Sequence, residues 1–127
     1  TALRDVTGFG VLGHVIEICE CSNIAAQVEL EKVPVVPQVL EYLEQGCTPG
    51  GTSRNFDSYV HKVTGLFDST INETQKMILC DPQTSGGLLA AVRPDAVEEF
   101  KSVAAKYGLA LESIGQTVDA NSQLHSV

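Results

Sequence analysis

The sequence predicts an α+β domain in layers, with helices covering a small mixed β-sheet. Three observations point there. Helical apolar stripes and short apolar runs follow one another as helix, strand, helix, helix, helix, strand, helix, strand. No internal repeat and no low-complexity linker divides the 127 residues. A chain of that length, 43% hydrophobic and 19% charged, can bury a core as one domain over residues 1–127.

The elements follow in order. Residues 1–7 are short and extended. A helix is expected from Phe9 to Cys21, where Phe9, Leu12, Val15, Ile16 and Cys19 form one apolar face. Thr7 is placed to act as its N-cap, and Ser22-Asn23 ends it. Ile24–Leu30 reads as a strand, with Ala26, Val28 and Leu30 on one face and Gln27 and Glu29 on the other. Lys32–Pro37 is a proline-punctuated link. Val39, Leu40 and Leu43 mark a short helix that Gly46 stops. Cys47–Asn55 reads as a loop, and Asn55 to Val63 as a weak helix. Asn72 can cap a helix carrying Met77, Ile78 and Leu79 inward. Cys80–Gly87 is a second dense loop. Leu88–Val92 is too uniformly apolar for a half-exposed strand, so a central strand covered on both faces is expected. Pro94 opens the clearest helix, with a core stripe of Val97, Phe100, Val103, Ala104 and Tyr107 and a stop at Gly108. Leu109–Val118 reads as the last strand, or two around Gly115. The polar tail, 119–127, is expected to fray.

The net charge of −8 and the lack of a basic run oppose binding to nucleic acid or anionic membranes. No apolar run approaches the roughly 20 residues of a membrane span. No signal peptide opens the chain, so Cys19, Cys21, Cys47 and Cys80 are read as reduced thiols in a cytoplasmic protein. Cys19 and Cys21, two apart on a helix, face opposite sides and share no ligand spacing with His14, His61 or His125, which argues against structural zinc.

Three stretches carry possible chemistry. In Asp5-Val-Thr-Gly-Phe-Gly-Val-Leu-Gly-His14 a carboxylate stands ahead of a glycine-rich helix start. Such a start offers free N–H groups and the positive end of the helix dipole to a phosphate, and the carboxylate offers hard oxygens to Mg²⁺. The bland alternative is a helix-start charge and close helix packing by the glycines. Gly8 to Gly13 also matches G-x-G-x-x-G, and Glu29 follows where a ribose-binding acid would sit. No apolar strand precedes the glycines, so the dinucleotide reading is the lesser one. Pro49-Gly-Gly-Thr-Ser-Arg-Asn55 could cradle an anion, or form a surface turn. Asp81-Pro-Gln-Thr-Ser-Gly-Gly-Leu-Leu89 has the same ambiguity.

Together, in this order and spacing, these stretches resemble the C-terminal half of the selenophosphate synthetases (selenide, water dikinases), within the aminoimidazole ribonucleotide synthetase-like superfamily. The resemblance covers essentially the whole chain, and Gly-Gly-Thr-Ser-Arg-Asn is most like the selenophosphate branch. It implies an α+β fold like that of the superfamily's C-terminal domain. It implies an enzyme that makes selenophosphate, AMP and phosphate from ATP, selenide and water, with Mg²⁺ and K⁺. It implies ATP bound between two halves, with an N-terminal half supplying the catalytic Cys or selenocysteine, a Lys, most metal-binding aspartates and the homodimer contact. On the matching positions, Asp5 is the metal ligand. Thr7, Gly8 and Gly10 face the phosphates, and Gly50, Gly51, Thr52 and Asn55 lie near the site. Asp81 and Gly86 are structural first, and none of the four cysteines matches the catalytic one. The isolated chain is then expected to fold but to be inactive. Another ATP-dependent superfamily member, or a non-catalytic nucleotide- or partner-binding module, is the alternative.

Overall fold

The computed structural model describes residues 1–63 and 73–120. The expected α+β class is what it shows. The four described strands pair as two antiparallel ladders instead of one mixed sheet. In the first, β1 (Ala2–Asp5) runs against β3 (Leu88–Ala91), with Ala2 opposite Ala91 and Asp5 opposite Leu88. In the second, β2 (Ile24–Val28) runs against β4 (Gly115–Asp119), with Ile24 opposite Asp119 and Val28 opposite Gly115. Five helices accompany them among the described residues: α1 (Gly10–Ser22), α2 (Val39–Glu44), α3 (Gly50–Tyr59), α4 (Glu73–Cys80) and α5 (Val97–Lys106).

Helix α1 ends where Asn23 turns left-handed at φ 52° and returns its N–H to Cys19 and Glu20. A short polar side chain tolerates that conformation at a helix end. Gly46 and Gly108, both at φ 77°, stop α2 and α5 in the expected way. At the front of α1 the expectation for Thr7 is corrected. The N-cap position is Phe9, with no side-chain cap. Thr7 instead gives its carbonyl to the Gly10 N–H at 3.0 Å and its hydroxyl to His14.

Helix α3 starts five residues before Asn55, inside the stretch read as a loop. Pro49, extended at φ −63° and ψ 138°, supplies the N-cap, and its carbonyl takes the Thr52 N–H at 3.0 Å. Poor helix formers are tolerated here because they occupy a first turn and pack: Gly51 lies against Pro82, and Thr52 is buried. The Asn72 cap and the stretch Thr64–Thr70 lie outside the described residues, as does the tail from 121. Asp119 still belongs to β4, whose strand begins only at Gly115.

The core is small and mainly aliphatic. Leu12 of α1, Val33, and Leu79 and Cys80 of α4 form its buried centre. Val11, Ile16, Val28, Leu30, Phe56 and Ile78 surround it. Helices α1, α3 and α4 pack on one another, and Lys76 lies over the Phe56 ring at 3.9 Å, a cation–π contact between α4 and α3. The apolar stripe of α5 is present but mostly uncovered. Ala104 is buried, whereas Phe100, Val103 and Tyr107 are exposed. Nor is Leu88–Val92 a central strand. β3 pairs only with β1 among the described residues, and Leu88 is 66% exposed. A uniformly apolar run does not say whether both of its faces will be covered.

One contact sets how α1 meets α4. Gly10 sits at φ 70°, and a Cβ there would stand 2.8 Å from the Leu79 carbonyl oxygen and 2.9 Å from the Cys80 carbonyl carbon. Gly8 has nothing within 4 Å of the same construction. Gly10→Ala should therefore cost at least about 1–2 kcal/mol through left-handed strain alone, with the backbone collision added. Gly8→Ala should stay within about 0.5 kcal/mol. Urea denaturation of the two variants, compared with wild type, checks the contrast.

Candidate functional site at the start of α1

Three stretches far apart in the chain meet at the start of α1. The Val6 N–H donates to the Gly87 carbonyl at 2.9 Å. The Gln83 N–H donates to the Thr7 carbonyl at 3.1 Å, which already holds Gly10. A Cβ on Gly86 would lie 2.3 Å from the Val6 carbonyl oxygen, so the 81–89 loop approaches β1 in a way only glycine permits. The 49–55 stretch enters through Asn55. Its carboxamide nitrogen donates to the Gly8 carbonyl at 2.8 Å and to the Cys80 carbonyl at 2.9 Å. Both N–H bonds of Asn55 are thereby used to tie the front of α1 to the end of α4.

Within this arrangement the expected site residues separate into two groups. Asp5, at the end of β1, is exposed and its carboxylate has no bonded partner among the described residues. Gly8 is exposed as well, and the Gly8 and Phe9 N–H groups make no hydrogen bond among the described residues. These are the groups open to a ligand. The N–H groups of Thr7 and Gly10 point into the protein, to His14 and to Thr7 respectively. On the α3 side Gly50 is exposed. Arg54 folds its guanidinium back over Gly50 and Gly51, 3.8 Å from where a Cβ would stand on either. Gly51 packs on Pro82, and Asn55 is a clip between backbones.

Thr52 is buried and Asp81 is half-buried. Thr52 is only 4% exposed, and its hydroxyl makes no hydrogen bond among the described residues. It lies within the field of Asp81 without reaching hydrogen-bond geometry. Burial pushes the Asp81 carboxyl above its ordinary range, while the hydrogen bond from Gln83 and the mere proximity of the Thr52 hydroxyl partly offset that. Cys80 is fully buried, and burial pushes its thiol up to about 11. It is a neutral core group and not a nucleophile.

His14 was not among the residues the sequence singled out. It is 1% exposed, on the side of α1 bearing Gly10 and Gly13. A Cβ on Gly13 would collide with Phe9 and with the Tyr59 ring at 2.8 Å, so Gly13 is a packing glycine, as expected. The Thr7 N–H donates to His14 Nε2 at 3.0 Å, so Nε2 carries a lone pair and Nδ1 carries the proton. Nδ1 then donates to Glu17 Oε2 at 3.2 Å, and Arg4 binds the other oxygen of Glu17 at 2.7 Å. Arg4 Nε lies 3.5 Å from Nδ1, at the outer limit of a hydrogen bond, and a protonated Nδ1 has no lone pair to offer it. Arg4 therefore acts through Glu17. The two close-packing glycines just ahead of His14 were the signal that this side of α1 is buried too, beside Leu12 and Ile16 of the expected stripe.

No group of three or more His, Cys, Asp or Glu able to hold a metal occurs among the described residues. The Asp5 carboxylate alone suits one corner of a hard-cation site and not a complete cage, whereas the free N–H groups of Gly8 and Phe9 suit an anion. No described helix is long and apolar enough to cross a membrane.

Two outcomes follow from this geometry. Asn55→Asp places a carboxylate oxygen against two carbonyl oxygens and should cost about 2–4 kcal/mol, more than Asn55→Ala, measured as the shift in urea midpoint. Cys80 should resist alkylation at pH 8 while exposed Cys21 and Cys47 react, as mapped by mass spectrometry. Because folding raises the Cys80 pKa from 9.0 to about 11, its contribution to stability is complete below pH 9 and lost as pH rises through 11. Cys80→Ala should flatten that part of the alkaline stability profile.

Comparison with known proteins places this geometry in a family. Residues 1–125 match the profile of the AIR synthase related protein, C-terminal domain. The chain is similar to the selenide, water dikinase of Yersinia pestis, 49% identical over 97% of this chain and 34% of that protein. It is similar to those of Pseudomonas putida, 52% identical over 95% of this chain and 34% of that protein, and of Sulfurovum sp., 51% identical over 99% and 35%. It thus spans about a third of the length of these curated relatives. With nearly every residue matched, the chain belongs to the AIR synthase related protein C-terminal domain family.

Proposed function

We propose that this chain is the nucleotide-facing domain of a selenide, water dikinase, an ATP-dependent phosphotransferase that forms selenophosphate, AMP and phosphate from ATP, selenide and water. The observation that carries the reading is the meeting of 5–14, 49–55 and 81–89 around one open corner, where the Asp5 carboxylate and the Gly8 N–H lie free. Three glycine-rich segments tied together by backbone hydrogen bonds suit a ligand that must approach main chain closely, as a triphosphate does.

In phosphoryl transfer the protein mainly positions groups and neutralises charge. Asp5 would hold Mg²⁺, which when bound screens the phosphate oxygens against each other and against an acidic chain. The free N–H of Gly8 lies beside the start of α1 and adds a neutral donor there. Gly50, with Arg54 folded over it, can present a cation to the same polyanion. Thr7, Gly10, Gly51, Thr52 and Asn55 serve by holding these groups in place.

The rest of the reading belongs to the longer polypeptide. An N-terminal domain supplies the opposite wall of the site and the homodimer contact, K⁺ assists, and the enzyme works in the cytoplasm. Residues 1–127 act as a single domain within it.

The test is turnover of the full-length polypeptide. It should form AMP from ATP only when selenide and Mg²⁺ are both present, whereas residues 1–127 alone should form none. AMP formation by the 127-residue chain alone would overturn the division of labour. Asp5→Ala in the full-length polypeptide should lower kcat by about 100-fold or more, since a metal ligand contributes several kcal/mol of charge stabilisation, and should leave the circular dichroism spectrum unchanged. A near-normal rate would remove Asp5 from the metal site.

A further inference from the structure

Four backbone polar groups just after Asp5 are held. The Val6 N–H goes to Gly87, and the Thr7 carbonyl takes Gly10 and Gln83. The Gly8 carbonyl takes Asn55. One of these ties is not made by backbone or by a surface amide. The Thr7 N–H goes to the ring nitrogen of a histidine that is 1% exposed. A single neutral tautomer serves that contact. It is selected at the far side of the ring by Glu17, and Glu17 is in turn held by Arg4, the residue before Asp5.

The ring thus closes a loop of contacts: Arg4 to Glu17, Glu17 to His14, His14 to Thr7, and Thr7 back along the chain to Arg4. Strand alternation puts Arg4 and Asp5 on opposite faces of β1. With Arg4 anchored to α1 on one face, Asp5 is presented on the other, open face. With the Thr7 N–H turned inward, the next amide, that of Gly8, is left free. Replacing the ring by an apolar group would leave a donor unpaired beneath the loop, and the peptide between Val6 and Thr7 would be free to rotate.

We propose that His14, oriented by Glu17, is a positioning residue that locks the Thr7 peptide and so fixes both the Asp5 carboxylate and the free Gly8 N–H for the ligand. The proposal rests on the functional reading above for its kinetic consequence, but not for its structural one. His14 touches neither metal nor nucleotide. It acts as groups behind a metal ligand do, and loss of such a partner typically lowers metal affinity or activity by about 10–100-fold.

The test uses the full-length polypeptide in three forms. His14→Leu removes the acceptor. His14→Gln keeps one, since its carboxamide oxygen can take the Thr7 N–H. Glu17→Gln keeps a single acceptor oxygen, so it can hold His14 Nδ1 or Arg4 but not both. The Mg²⁺ concentration for half-maximal rate should rise about 10-fold or more in His14→Leu, with most of the loss recovered in His14→Gln and a smaller rise in Glu17→Gln. A folded His14→Leu protein with unchanged Mg²⁺ dependence and kcat would overturn the proposal. So would His14→Gln and His14→Leu proving equally impaired.

Imidazole ¹⁵N spectra and amide exchange give a readout free of activity. The His14 ring should show the Nδ1–H tautomer, and the Thr7 amide should be protected from exchange in wild type and His14→Gln. An Nε2–H tautomer, or an unprotected Thr7 amide, would overturn the proposal even if His14→Leu fails to fold. If the wild-type polypeptide shows no selenide-dependent turnover, the functional reading fails instead, and the tautomer and Thr7 protection still decide the role of His14.

Discussion

The start of α1 lies directly on the backbone of the last turn of α4, and the rest of the candidate site depends on that approach. It is possible because Gly10 has no side chain and can adopt φ 70°. Once the two helix ends touch, the carbonyls of Gly8 and Cys80 come close enough for one carboxamide to bind both. The 81–89 loop, leaving the end of α4, then falls beside β1, where Gln83 and Gly87 reach Thr7 and Val6. A single steric permission thus brings three separated segments to one corner.

That corner divides its polar groups between those paired within the fold and those left unpaired. Backbone groups that point inward are paired: Thr7 with His14, Gly10 and Gln83 with Thr7, and Val6 with Gly87. Buried main-chain groups carry a desolvation penalty unless bonded, so the internal pairing is obligatory. The groups left over, the Asp5 carboxylate and the amides of Gly8 and Phe9, face solvent and suffer no such penalty. Neutral amides and one carboxylate, and no lysine, are what this corner leaves unpaired among the described residues.

Charge within the domain follows the same division. Burial leaves Cys80 a neutral thiol and pushes the half-buried Asp81 carboxyl above its ordinary range. The ion pairs lie at the periphery, as in Lys62–Glu20 and Lys32–Glu29, where they contribute little to stability. Arg4–Glu17 differs from these because Glu17 also holds the buried His14 ring.

Local sequence determined the elements. Helical periodicity placed α1, α2, α4 and α5 to within a few residues, and Gly46 and Gly108 ended helices because a residue free of Cβ strain turns left-handed readily there. It also marked the three motif stretches, whose glycines and turn formers are legible one residue at a time. What the sequence could not decide depended on partners distant along the chain. Composition made Gly50–Arg54 a loop, yet packing on Pro82 and burial of Thr52 made it a helix. The stripe of α5 and the run Leu88–Val92 are apolar, but whether such a face is covered is a property of its neighbours. Thr7 reads as a helix cap and His14 as a lone histidine until the fold places the ring 3.0 Å from the Thr7 amide nitrogen. Periodicity and propensity are local, whereas burial and hydrogen-bond pairing at the site join residues tens of positions apart.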